Sequence, residues 1–124
     1  MQKTYAIIAV LSALIANALG AFGTHVLKGS ITPSYLTVFQ TGVQYQFYHS
    51  LALLLTALFL FHIRNKWIMA SGIAFICGII LFSGSLYVLT ITEIKWIGVI
   101  TPFGGLAFLI AWILLLAGIL KTKF

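Results

Sequence analysis

The chain reads as an all-α membrane protein: a four-transmembrane-helix bundle with an amphipathic N-terminal extension on the second helix. Three observations predict this: a near absence of charge, four apolar runs of spanning length, and an explicit break after each of the first three. Of 124 residues, 62% are hydrophobic and 6% are charged, and the mean hydropathy is +1.16. A soluble domain carries about a quarter charged residues. A chain this apolar lacks the polar surface to face water, so its solvent is lipid. No second, soluble domain fits in the remainder, and 1–124 reads as one integral membrane domain.

A helix needs about 20 apolar residues to cross the hydrocarbon core. Four runs qualify, with spans at about 5–23, 45–63, 67–89 and 102–120. Lys28-Gly29 and Thr32-Pro33 interrupt after the first, Arg64-Asn65-Lys66 after the second, and Thr92-Glu93-Ile94-Lys95 after the third. Thr101-Pro102 reads as a helix start, the Thr capping and the Pro at the first helical position. Gly104-Gly105 leaves 98–105 open between a helix and a short re-entrant turn. The first run follows Lys3 and ends in small residues, as a signal peptide does. Its length, and the charge asymmetry of the four-span arrangement, favour retention as a span.

The formal charge is +6, seven Lys and Arg against the single acid Glu93. A basic soluble domain would suggest nucleic acid. Here the cations sit singly or in pairs at the ends of apolar runs, where they set orientation and meet lipid headgroups, so nucleic acid is excluded as a partner. With four spans, both termini share a side with the Arg64–Lys66 loop, collecting Lys3, Arg64, Lys66, Lys121 and Lys123. The other side has Lys28 and Lys95. The positive-inside rule then predicts cytoplasmic termini, in a cell membrane, with Trp67 and Trp96 at the two interfaces.

Helices associate in lipid through small residues that let backbones approach. Ala9, Ala13, Ala16, Gly20 and Gly23 form one such stripe, Ser71, Ala74, Gly78 and Ser85 a second, and Gly104, Ala107, Ala111 and Gly118 a third. Three stripes predict a tight bundle and a homo-oligomer of undefined number. Over 34–45 the second helix is amphipathic. Thr37, Gln40, Thr41, Gln44 and Tyr48 form a polar stripe against Leu36, Phe39, Val43 and Phe47. That stripe faces either water and headgroups or a cavity or subunit contact.

Polar residues from all four spans converge on the outer half. His25 follows the first span, Gln44, Tyr45, Gln46, Tyr48 and His49 enter the second, Ser83, Ser85 and Tyr87 lie late in the third, and Thr101 opens the fourth. Polar groups in hydrocarbon either pair or face water. For Asn17, Ser83 and Ser85 the expectation is pairing. The ligand-binding candidates are His25, Gln44, Tyr45, His49, Ser83 and Tyr87, for a small ligand or ion. His25 and His49 are of the type that binds metal or haem, but no Cys or carboxylate completes a set, and no metal or cofactor is expected. For His49 a hydrogen bond to Tyr45, one turn back, is the simpler reading. Cys77 reads as an inert packing residue. No acid is available to orient a catalytic histidine, and no catalytic residue is assigned.

Taken together, Gly20-Ala21-Phe22-Gly23-Thr24-His25-Val26-Leu27-Lys28, the segment Phe39 to Leu53 containing Gln44-Tyr45-Gln46 and Tyr48-His49, Leu81-Phe82-Ser83-Gly84-Ser85-Leu86-Tyr87, and Thr101-Pro102-Phe103-Gly104-Gly105 resemble the motifs of the YgdD/YwdK-like family of small bacterial inner-membrane proteins, domain-of-unknown-function family 423. The resemblance covers nearly the whole chain. Thr24 and Gly42 stand where Ala is commoner, both small-for-small. It implies a bacterial multi-pass membrane protein and supplies no catalytic residue. Two functions remain open: a binding, transport or channel module with an outward-facing polar pocket, and a structural or accessory protein whose polar cluster locks helices or subunits.

Overall fold

A computed structural model describes residues 1–124 and contains four long helices and no strand. Helix α1 is Gln2–Leu27, α2 is Pro33–His62 and α3 is Lys66–Thr92, all long and apolar enough to cross a membrane. A 3-10 turn at Lys95–Val99 leads into α4, Thr101–Lys121. The all-α four-helix architecture is as the hydropathy predicts.

Local chemistry explains the ends. Gly29 takes φ +88°, a left-handed conformation open to glycine, and turns the chain after α1. Thr32 Oγ1 accepts a 3.4 Å bond from the Tyr35 amide, with Pro33 in the first turn of α2. The α2–α3 hairpin is closed by Asn65. Its Oδ1 accepts from the Trp67 and Ile68 amides at 2.8 and 3.4 Å, and its Nδ2 donates to the Gly118 carbonyl and Thr122 Oγ1 at 2.9 and 3.0 Å. One side chain thus caps α3 and ties it to the end of α4. Asn65→Ala is expected to lower stability by ~1–2 kcal/mol, read as an earlier melting transition in mild detergent.

Helix α1 does not end near Gly23. It passes through a π-helical turn, Leu19–Gly23, into a last α-helical turn, Thr24–Leu27. His25 therefore lies inside the helix rather than after it. Glycine interrupts a helix only weakly, and here the lack of Cβ is used: a methyl at Gly23 would come within 2.9 Å of the Phe39 ring. Residues 101–105 are helical, not re-entrant, for a related reason. Gly104 is buried against the backbone of Phe82 on α3. Thr101 does not cap α4: the position before the helix is Ile100, with no side-chain cap bond. Its hydroxyl is drawn instead to Ser85 Oγ, 2.6 Å away on α3. Cys77 is exposed on the outside of the bundle rather than packed inside it.

Helices α2 and α3 pack on each other, α1 runs along α2, and α4 runs along α3. The apolar core between them is built on Leu53, Ala57, Ile68, Phe75, Phe108 and Ala111. Tyr5 joins α1 to α3, its hydroxyl donating to the Met69 carbonyl at 2.7 Å. The small-residue stripes are largely taken up within the bundle: Ala9, Ala16, Ser71, Gly78, Gly104, Ala111 and Gly118 are all buried. Their presence is accounted for by close packing of the four helices of one chain.

Candidate functional site

The polar residues of the candidate region form two separate clusters, one on each side of α2, and a third set faces outward. The first cluster joins α1, α2 and α3. Gln46 Nε2 donates to the Ser12 carbonyl at 3.0 Å and to Ser12 Oγ at 3.3 Å, while Gln46 Oε1 accepts from the Tyr87 hydroxyl at 2.5 Å. Ser50 Oγ lies 2.6 Å from the Gln46 carbonyl and 2.7 Å from Ser12 Oγ. Ser50 Oγ is the donor to both, its one proton shared between the Gln46 carbonyl and Ser12 Oγ. One turn away, Ser83 donates to the Gly42 carbonyl at 2.7 Å. Ser83 and Tyr87, one helical turn apart on α3, thus both reach α2.

The second cluster joins α2 to α4. His49 is buried, and its Nδ1 is 2.8 Å from the Tyr45 carbonyl. That partner requires a proton on Nδ1, which leaves Nε2 as an acceptor. It receives the Trp112 indole N–H at 3.2 Å. The two partners assign the neutral tautomer and use both ring nitrogens. The imidazole lies flat on Phe108, with centroids 3.5 Å apart and planes 6° from parallel. Trp112 packs edge-on against Phe75 at 5.0 Å. Tyr45 is His49's partner as expected, though through its backbone carbonyl; its ring stacks on Phe82 at 4.6 Å.

The remaining candidates point away. Gln44 is exposed, at a shallow notch shared with Gly20, Thr24 and Gln40. His25 is exposed near the end of α1, with no hydrogen bond and no ring contact to His49. The structure therefore pairs Ser83 and Tyr87 with α2, pairs His49 with Tyr45, and leaves His25 and Gln44 outside both clusters. No buried side-chain nitrogen or oxygen lacks a partner. No group of three or more His, Cys, Asp or Glu side chains comes together.

Four polar participants were not among the sequence candidates: Ser12, Gln46, Ser50 and Trp112. Gln46 stood in the polar segment but was passed over for its neighbours. Trp112 carried a readable signal. It lies mid-span, away from the helix ends where Trp67 and Trp96 fall, and an indole N–H away from water needs an acceptor. Ser12 gave no such signal, being a lone hydroxyl that any helix satisfies by bonding its own carbonyls.

A family model described as a protein of unknown function, DUF423, matches residues 19–105. The chain belongs to this family. The match takes in His25, the whole of α2 and α3, and the start of α4, and so holds every residue of the two clusters except Ser12, Phe108 and Trp112. UPF0382 membrane protein YwdK of Bacillus subtilis is 43% identical over 97% of this chain and 98% of its own length. The inner membrane protein YgdD of Escherichia coli is 38% identical over 94% of this chain and 89% of its own. A UPF0382 membrane protein of Staphylococcus saprophyticus is 39% identical over 97% of this chain and 99% of its own. No solved structure matches. With four apolar helices and relatives named as membrane proteins, this chain is an integral membrane protein of a family of unknown function.

Proposed function

We propose that this chain serves as a structural or accessory membrane protein whose polar clusters lock its helices in register. The observation that carries this is the closure of both clusters. Gln46, Ser12, Ser50 and Tyr87 satisfy one another, and His49 has both nitrogens engaged, so neither cluster offers a substrate an unpaired group. In this reading no residue has a catalytic role. Self-association belongs to the same proposal: Asn17 is exposed on α1 without a side-chain partner, and an amide facing hydrocarbon is stabilised by a partner from a second helix. The excess of cations at the end holding both termini supports placing that end in the cytoplasm.

A second reading keeps a binding or transport role at the outer notch, where the exposed amides of Gln40 and Gln44 meet the backbone of Gly20. Native mass spectrometry of protein released from mild detergent separates the two. The structural reading expects Gln44→Ala to leave both the mass and the melting transition unchanged, and His49→Ala to lower the transition. A discrete bound mass that disappears in Gln44→Ala, with the fold intact, would establish the notch as a site and overturn the structural reading.

A further inference from the structure

We infer that the end of the bundle carrying Arg64 holds a seat for one anionic phospholipid, its headgroup phosphate at Arg64 and one acyl chain lying along α2. Five cations, Lys3, Arg64, Lys66, Lys121 and Lys123, gather at this end, while the only acid, Glu93, lies at the opposite end of α3. No aspartate or glutamate side chain lies at this end to pair with them. The hairpin that carries Arg64 is held, and so are two of the lysines. Asn65 pins the hairpin between Arg64 and Lys66 through four hydrogen bonds. Lys66 and Lys121 both lie over the Trp67 ring, at 5.6 and 5.3 Å, a contact that holds an ammonium at the level of an aromatic belt.

Two adjoining concavities give the seat its shape. One, of about 230 Å³, is lined by Gln2, Arg64, Leu60 and Met69. The exposed guanidinium there offers two parallel N–H donors, a geometry that matches two phosphate oxygens. The Gln2 amide, which has no hydrogen bond within the chain, adds a neutral donor. The second, of about 430 Å³, is an open apolar groove along Leu55, Leu58 and Phe59 of α2. Ile63 lines both, so a molecule with its phosphate at Arg64 has its hydrocarbon beside α2. The combination selects for net charge: a zwitterionic headgroup brings a quaternary ammonium into a region of uncompensated positive charge. This inference is independent of the helix-locking role, since it uses none of the buried cluster residues.

The test titrates phosphatidylglycerol, or phosphatidylcholine of the same chain lengths, into delipidated protein in mild detergent, with native mass spectrometry as the readout. Wild type is expected to retain one phosphatidylglycerol in preference to phosphatidylcholine. Removing one interfacial cation is expected to weaken retention about fivefold, so Arg64→Gln shows that loss and Lys28→Gln, at the other end, does not. Both side chains are exposed, so neither change disturbs the fold. Glycerol phosphate at equal concentration is expected to leave the lipid in place. Equal retention of the two lipids, an equal loss in Lys28→Gln, or displacement by glycerol phosphate would each overturn the proposal, the last by assigning the cleft to a free phosphate.

Discussion

Gly104→Ala is expected to destabilise the bundle by about 3 kcal/mol, the upper end of what overpacking costs. A methyl added at Gly104 would lie 2.3 Å from the Phe82 amide nitrogen and 2.6 Å from its Cα. A side chain in that position could swing aside, but backbone cannot. Helices α3 and α4 would have to separate along their length, taking the Phe108 stack on His49 and the Ser85–Thr101 hydrogen bond with them. The neighbouring glycine supplies the control. At Gly105 the nearest atom to an added methyl is 4.0 Å away, and alanine has the better helix propensity by about 1 kcal/mol. Gly105→Ala is therefore expected to melt at or above wild type, and Gly104→Ala well below it. If both melt with wild type in detergent, α3 and α4 are not in backbone contact at this level.

Gln46→Leu is expected to cost about 2 kcal/mol, while Gln44→Leu, two residues earlier, changes stability by a few tenths at most. Leucine approximates the volume of glutamine, so the loss reflects hydrogen bonding more than packing. An interhelical hydrogen bond in a membrane contributes only about 0.6 kcal/mol on average. The larger part comes from what is left behind: the Tyr87 hydroxyl has Gln46 as its one partner, and a buried group stripped of its partner costs about 1–3 kcal/mol. Tyr87→Phe removes that hydroxyl. The double variant Gln46→Leu/Tyr87→Phe is then expected to be less unstable than the two single changes added together, a coupling a double-mutant cycle measures directly. Simple additivity would mean that Gln46 and Tyr87 do not act as a pair.

The contrast between Gln44 and Gln46 shows where reading the sequence stops. Both are amides at the start of a spanning run, and composition ranks them equally. A helix advances about 100° per residue, so two residues apart they face opposite sides. Which side meets α1 and α3 depends on where those helices lie, and nothing in 40–50 records that. Phase is lost in a second way. A π turn adds a residue to one turn of a helix, so at Leu19–Gly23 and Ile79–Ser83 the faces before and after no longer follow one 3.6-residue count. Both π turns fall in segments that carry the family's motifs, and neither has a composition that distinguishes it from plain α-helix.

The placement of Ser83 and Tyr87 on one face was legible, because their spacing of four is about one helical turn, with Ser83 closing the π turn and Tyr87 in the α-helix that follows. The amphipathic stretch before the second span was legible for the same reason: Phe39 is buried, and Gln40 and Gln44 are exposed. The one cap expected from the sequence, at Thr101, was not legible, because its hydroxyl has a partner on another helix. Thr101 is taken by Ser85 on α3.

By itself the sequence determined that this is a four-helix membrane protein, where its helices break, and how its charge divides between the two ends. Those are properties of local composition: each apolar run is driven into lipid by its own transfer free energy, whatever its neighbours do. The tertiary structure alone decided that Gln46 and not Gln44 is the hub, that Ser12 completes its chain, and that Trp112 holds His49 in one tautomer. These pairings join residues from 34 to 63 positions apart. They depend on helix phase and interhelical distance, which the π turns and the contact at Gly104 set together.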